Sequence, residues 1–102
     1  MKSIIEGLNK NFDNRVRLGI MSALMVNDSM EFNVLKELLD VTDGNLASHI
    51  KALESAGYLS VHKQFIGRKP NTSYQITSEG THSFTEHVNA LEKLIKGEAP
   101  NL

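Results

Sequence analysis

The side chains best placed to do chemistry lie in one stretch, TDGNLASHIKALESAGYL, residues 42–59. On a helical wheel of about 100° per residue, with Leu46 at zero, Ile50 falls at about 40° and Leu53 at about −20°. These three form the buried stripe. Gly44, Ser48 and Lys51 point the other way, at about 160°, 200° and 140°, with Thr42 and Asn45 beside them. His49, at about −60°, borders the apolar stripe. The outward face is therefore small and polar at its front, with one cation behind. Small residues let a helix approach a surface closely. Asn and Ser hydrogen-bond base edges, and Lys reaches guanine or phosphate. The helix N-terminus adds amides and a positive dipole end for phosphate. A solvated helix face can have the same composition, so the surroundings must decide.

Other chemistries find little support. The chain has no glycine-rich phosphate loop, no cysteine nucleophile, and no carboxylate pair brought together by local spacing. Ser48 and His49 are sequence neighbours, which is not a catalytic arrangement. No catalytic residue and no cofactor is assigned, and an enzyme is not expected. A metal-responsive regulator of the arsenic-repressor type would have to use His82, Glu86 and His87. His82 and Glu86 share a helical face at i, i+4, but a second matched pair of ligands is missing.

The 102 residues suffice for one small domain, with 40% hydrophobic and 23% charged residues, a globular composition. No apolar run approaches membrane-spanning length, and the N-terminal segment lacks an apolar leader core. Cysteine is absent, which fits a reducing compartment, and a cytoplasmic location is expected. The net charge of −1 hides an asymmetry. Residues 44–76 carry Lys51, Lys63, Arg68 and Lys69 against Glu54, whereas both flanks are net acidic. A basic middle with acidic ends points to an anionic partner for the middle.

The elements that must position these residues follow from periodicity. Ile4, Ile5, Leu8 and Phe12 have helical spacing interrupted by Gly7, predicting a short helix or arm over 1–13. Asp13 is the expected N-cap of a first helix, about 14–26, with Val16, Ile20 and Leu24 inward. Gly19 within it predicts a close neighbour. Residues 29–32 read as a brief extended piece. Asn33 is the expected cap of a second helix, 34–39, with Val34, Leu35 and Leu38 inward. Thr42 caps the third, which ends at Gly57. Alternation of Leu59, Val61, Lys63 and Phe65, then of Tyr74 and Ile76, predicts a hairpin around a basic GRKPN turn. Thr77 or Ser78 caps a long last helix to about residue 96, with Phe84, Val88, Leu91 and Ile95 at heptad spacing and Leu94 alongside.

Two short helices joined by a tight turn and followed by a hairpin make a winged helix-turn-helix. The fold class expected is mainly α with a β-hairpin wing (α+β): a three-helix core, a wing and long terminal helices for dimerisation. The domain plan is a single unit over 1–102, with an arm (1–13), a winged-helix core (14–76), a dimerisation helix (77–97) and a tail (98–102).

Taken together, FNVLKELLDVTDGNLASHIKALESAGYL, FIGRKPNTSYQITSEG and the amphipathic last helix resemble winged-helix regulators of the MarR type, in particular their small one-domain relatives. The resemblance runs from about residue 15 to 94, and its specificity lies in the combination of the pieces. It implies a homodimer built from terminal helices that binds a pseudo-palindromic operator in double-stranded DNA. By position, Thr42, Asn45, Ser48 and Lys51 match the family's recognition helix, and Arg68 and Lys69 match its wing. The chain is shorter than the larger MarR-type regulators, whose longer terminal helices frame a ligand pocket, and no small-molecule effector is assigned. Its low cation content predicts modest affinity.

The candidate DNA-binding set is thus Thr42, Gly44, Asn45, Ser48, His49, Lys51, Lys63, Arg68 and Lys69. Helix 42–56 would enter the major groove, and the wing at 66–72 would contact the minor groove or backbone. The candidate dimerisation set is Ile4, Ile5, Leu8, Phe84, Val88, Leu91, Leu94 and Ile95, two apolar patches that a symmetric dimer would bury. Repression is the expected mode of regulation. The main alternative is a winged helix serving as a protein-interaction module, which the acidic flanks also suit.

Overall fold

The computed structural model describes residues 3–97, so the expected tail at 98–102 lies outside the described residues. After a 3-10 turn at Lys10–Phe12 come α1 (Arg15–Met25), β1 (Met30–Glu31), α2 (Phe32–Leu39) and α3 (Asp43–Ser55). Strands β2 (Leu59–Ile66) and β3 (Lys69–Ile76) form the hairpin, and α4 (Ser78–Ile95) closes the chain. The sheet is antiparallel in the order β1-β3-β2. The extended piece foreseen near residue 30 is therefore a strand, and it pairs Met30 with Tyr74 and Glu31 with Ser73.

The helix starts correct two expectations. Asp13 does not cap α1: it ends the 3-10 turn, its N–H donating to the Lys10 carbonyl, and the helix starts one residue later. Asn14 is the extended residue before α1, and its Oδ1 accepts from the N–H groups of Val16 and Arg17. Nor does Asn33 cap α2. That helix begins at Phe32 after an extended Glu31, with no side-chain cap. The shift changes which face is buried. Leu35 is fully buried, and Phe32 and Leu39 pack against the core, at i, i+3 and i+7. Val34 and Leu38, expected inward, are 49% and 60% exposed. The helix ends at Asp40, left-handed at φ 51°, a conformation Asp tolerates better than most residues.

The four helices and the sheet enclose one core. Phe12, Ile20, Met21, Leu24, Leu35, Leu46 and Leu53 are its fully buried side chains. Phe12 is the hub of an aromatic group: its ring centroid lies 5.2 Å from Tyr58, 5.2 Å from Phe84 in an edge-on contact, and 5.3 Å from His87. Such pairs add about 0.5–1.5 kcal/mol each beyond area burial. The arm anticipated over 1–13 is thus no continuous helix. It is a turn at 4–7 and a 3-10 turn that delivers Phe12 into the core. Gly19 does mark a close approach: a Cβ there would stand 2.6 Å from Leu39 Cδ2, so α1 and α2 touch at that point.

Candidate nucleic-acid interface

Helix α3 is held from both ends. Thr42 Oγ1 accepts the Asn45 N–H at 3.2 Å, as a cap should. Gly57, at φ 85°, turns the chain out of the helix into β2. Leu46, Ile50 and Leu53 anchor the inner side. Thr42, Gly44, Asn45, Ser48 and Lys51 are all exposed, and among the described residues none of their side chains except the Thr42 cap makes a hydrogen bond. A Cβ built on Gly44 meets nothing within 4 Å. The front of α3 is therefore open and flat.

His49 sits differently from its neighbours. It is half-buried, and its Nδ1 accepts the Arg17 Nε–H at 2.9 Å. Burial lowers its pKa from the ordinary imidazole value, and the Arg17 guanidinium lowers it further. His49 is thus a neutral ring that can offer only Nε2 outward. Arg17 was not among the expected site residues, nor was Lys36, whose Nζ lies 2.8 Å from Asp43 Oδ1. That pair offsets the one acidic side chain in the first turn of α3. Neither partner carries a sequence signal, since each pairing joins different helices.

Across from α3 stands the hairpin. An open groove separates them, lined by Ala47, Lys51 and Glu54 on one side and by Val61, Lys63 and Thr72 on the other. Lys51 and Lys63 therefore converge on one cleft. The turn is tighter than GRKPN implied: only Gly67 and Arg68 lie between the strands, and Ile66 pairs with Lys69. Gly67, at φ 64° in the first central position, fits the primed turn that a two-residue hairpin favours. Pro70 is accommodated within β3 because β1 reaches only Ser73 and Tyr74, leaving an edge there. Every residue from His62 to Pro70 is exposed, Lys63, Arg68 and Lys69 among them.

The candidate dimerisation residues divide. Val88, Leu91 and Ile95 are exposed along α4, and Leu94 is half-buried. Phe84 is a correction: it lies 5% exposed against Phe12 in the core of the chain itself, and so cannot belong to an outward stripe. The inner turn of α4 is completed by His87, which the heptad reading left out. His87 Nδ1 accepts the Asn9 N–H at 2.9 Å. One turn on, Gly7 fits so closely that a Cβ would stand 2.9 Å from Ala90 Cβ. The N-terminal segment thus runs beside α4, and exposed Ile4 and Ile5 with half-buried Leu8 accompany the α4 stripe. The same His87 contact separates it from the postulated ligand set. His82 and Glu86 pair with each other at 3.3 Å on the outer face, whereas His87 points inward. No group of three or more potential metal ligands occurs among the described residues. No described helix is long and apolar enough to cross a membrane.

A helix-turn-helix followed by an antiparallel wing is a winged helix. A profile for winged helix DNA-binding domains matches residues 16–95. The chain belongs to that family. It is 37% identical over 87 residues to an uncharacterised protein of Methanocaldococcus jannaschii, covering 85% of this chain and 95% of that one. It is also similar to the structure of a transcriptional regulator homologue from Pyrococcus horikoshii, with 34% identity, a TM-score of 0.82, and 92% and 91% of the two chains covered. A MarR-family regulator from Enterococcus faecalis shares the fold, with a TM-score of 0.64 and 21% identity over 92% of this chain and 77% of that one. The winged helix-turn-helix expected from the sequence is therefore the fold and family of this chain, and the MarR-family neighbour shares that fold.

Proposed function

We propose that the chain acts as a homodimeric, sequence-preferring DNA-binding repressor. Helix α3 lies in the major groove, and the β2–β3 wing lies over the adjacent minor groove and backbone. The observation that carries this reading is the front of α3. Gly44, Asn45, Ser48 and Lys51 have no internal work, and Gly44 leaves open space where any other residue would project. Asn45 and Ser48 suit base edges, and Lys51 and Lys63 suit the phosphates bordering the groove. Arg68 and Lys69 extend the cationic line to the wing.

The apolar band of Ile4, Ile5, Val88, Leu91 and Ile95 supports a two-fold dimer. Met25 and Val88 also border one shallow crevice between α1 and α4, which widens the band. A two-fold axis there would present two copies of α3 to half-sites about 34 Å apart, one turn of DNA. A dimer so seated on a promoter obstructs polymerase, hence the inference of repression. No effector is assigned.

The test is fluorescence anisotropy with DNA from upstream of the protein's own gene, at two salt concentrations. Sequence-preferring binding that weakens steeply with salt is expected. Gly44→Ala is the diagnostic variant. It fills no occupied space and improves helix propensity by up to about 1 kcal/mol, so it should not reduce stability. A stable Gly44→Ala protein with weakened DNA binding would place a partner against that face. Undiminished binding would remove α3 from the contact.

A further inference from the structure

The wing tip is apolar as well as basic, and phosphate contact alone does not account for that. Phe65 and Ile66 end β2 at 74% and 57% exposed, so Phe65 leaves most of its ring in water. Cross-strand partners share a face, so Phe65 stands with Pro70 on one side of the ribbon, continuing the Lys63–Thr72 pair that lines the cleft with α3. Ile66 projects from the opposite side. Each face of the tip therefore carries an apolar side chain, Phe65 beside Pro70 on one and Ile66 beside Lys69 on the other, and Gly67 and Arg68 form its end. From Val61, the last partly buried residue of β2, the strand runs on for about 17 Å at about 3.3 Å per residue. That projection exceeds the ~7.5 Å depth of a minor groove.

The tip is also free of opposing charge. Residues 59–76 contain Lys63, Arg68 and Lys69 and no Asp or Glu. A narrow minor groove presents strongly negative potential at its mouth, sugar-lined walls and stackable base steps within. A slim ribbon with cations at the rim and apolar side chains on both faces complements each of those features.

We infer that the wing tip is a wedge. Phe65 enters the minor groove and partly opens a base step, Ile66 and Pro70 pack against the sugar walls, and Arg68 and Lys69 hold the flanking phosphates. The inference rests on the DNA-binding reading above and adds a bend to it. It also assigns part of the sequence preference to positions the protein reads by deformability. Pyrimidine–purine steps open most easily, so such a step is expected beneath the wing.

The experiment uses the full chain and a duplex selected from a random-sequence pool by the wild-type protein, with donor and acceptor dyes at its ends. Affinity is read by anisotropy and bending by energy transfer at saturation. Wild-type protein should shorten the end-to-end distance. Phe65→Ala should bind about tenfold more weakly. It should bend the duplex less, with an unchanged salt slope and, being so exposed, an unchanged melting temperature. Phe65→Leu should restore most of both. Arg68→Ala should instead lower the salt slope by about one while keeping the bend. Wild-type affinity and energy transfer in Phe65→Ala would overturn the wedge while leaving DNA binding intact. A Phe65→Ala protein with altered sedimentation and an unaltered bend would overturn it in favour of a second copy at the tip. Failure of the wild-type chain to select any duplex would sink the DNA-binding reading, and the wedge with it.

Discussion

Arg17 on α1 and His49 on α3 are joined by a 2.9 Å hydrogen bond, with the guanidinium Nε–H donating to Nδ1 of a neutral imidazole. The contact fixes the tautomer of His49 and ties the flank of α3 to the first helix of the core.

It yields a first prediction. Burial chiefly, and then the Arg17 charge, depress the His49 pKa. Arg17→Met removes the charge and the donor while leaving burial largely in place. The His49 pKa should rise part of the way back toward about 6.5. An NMR titration of the ring protons measures it. An unmoved pKa would mean that Arg17 does not hold the ring in solution.

His87 makes stability depend on pH. Its burial lowers the pKa, and the Asp13 carboxylate partly opposes that. The neutral ring is the folded form, so the unfolded chain takes up a proton at higher pH than the folded one. The stability this group contributes is complete above about pH 6.5 and is lost as pH falls through the lowered folded value. His49 adds an effect of the same sign. Urea midpoints measured across this window should fall with acidification. His87→Leu should flatten part of that slope and cost about 1–3 kcal/mol at neutral pH, because the Asn9 N–H loses its acceptor.

Gly80 opens the first turn of α4 against the turn after α3. The Tyr58 carbonyl occupies the space a Cβ would need, and Ile76 Cγ1 is 3.0 Å from it. That carbonyl also accepts the Thr77 N–H, so it cannot withdraw without breaking the junction. Gly80→Ala should destabilise by about 1–3 kcal/mol in denaturant unfolding. An effect near zero would show that α4 can slide away from Tyr58.

Leu91 tests the dimer. At 43% exposed it can carry a charge in a monomer without unfolding it. Leu91→Glu should weaken self-association by at least about tenfold in sedimentation while leaving helix content unchanged. Unaltered association would move the interface off this band.

The parts legible in sequence were those governed by one local signal. The α3 stripe of Leu46, Ile50 and Leu53, the Thr42 cap and the Gly57 stop needed only spacing and residue type, and of the two caps open for α4 it is Thr77 that serves. The misreadings arose where two local solutions competed and tertiary contacts chose. Asp13 and Asn14 are both good caps, and because the 3-10 turn runs to Asp13, the extended residue from which α1 starts is Asn14. Val34, Leu35 and Leu38 cannot all face inward on an eight-residue helix that also buries Phe32 and Leu39. In α4, Phe84 leaves the expected outward band and turns into the core with His87 beside it, where the Asn9 amide supplies what a buried imidazole needs. Arg17–His49 and Lys36–Asp43 join residues from separate helices, which no one-dimensional period can reveal.

Asn9 is a three-way joint. Its backbone N–H serves His87, its Nδ2 donates to the Tyr58 hydroxyl at 3.0 Å, and its Oδ1 holds the turn that seats Phe12. One amide residue thus rivets the N-terminal strap, the last helix and the foot of α3 at a single point. The strap cannot peel from α4 without letting go of Tyr58, where α3 hands over to the wing. A displacement of the N-terminal segment is therefore felt, through Asn9 and the Phe12 ring beside it, at the joint between α3 and the hairpin.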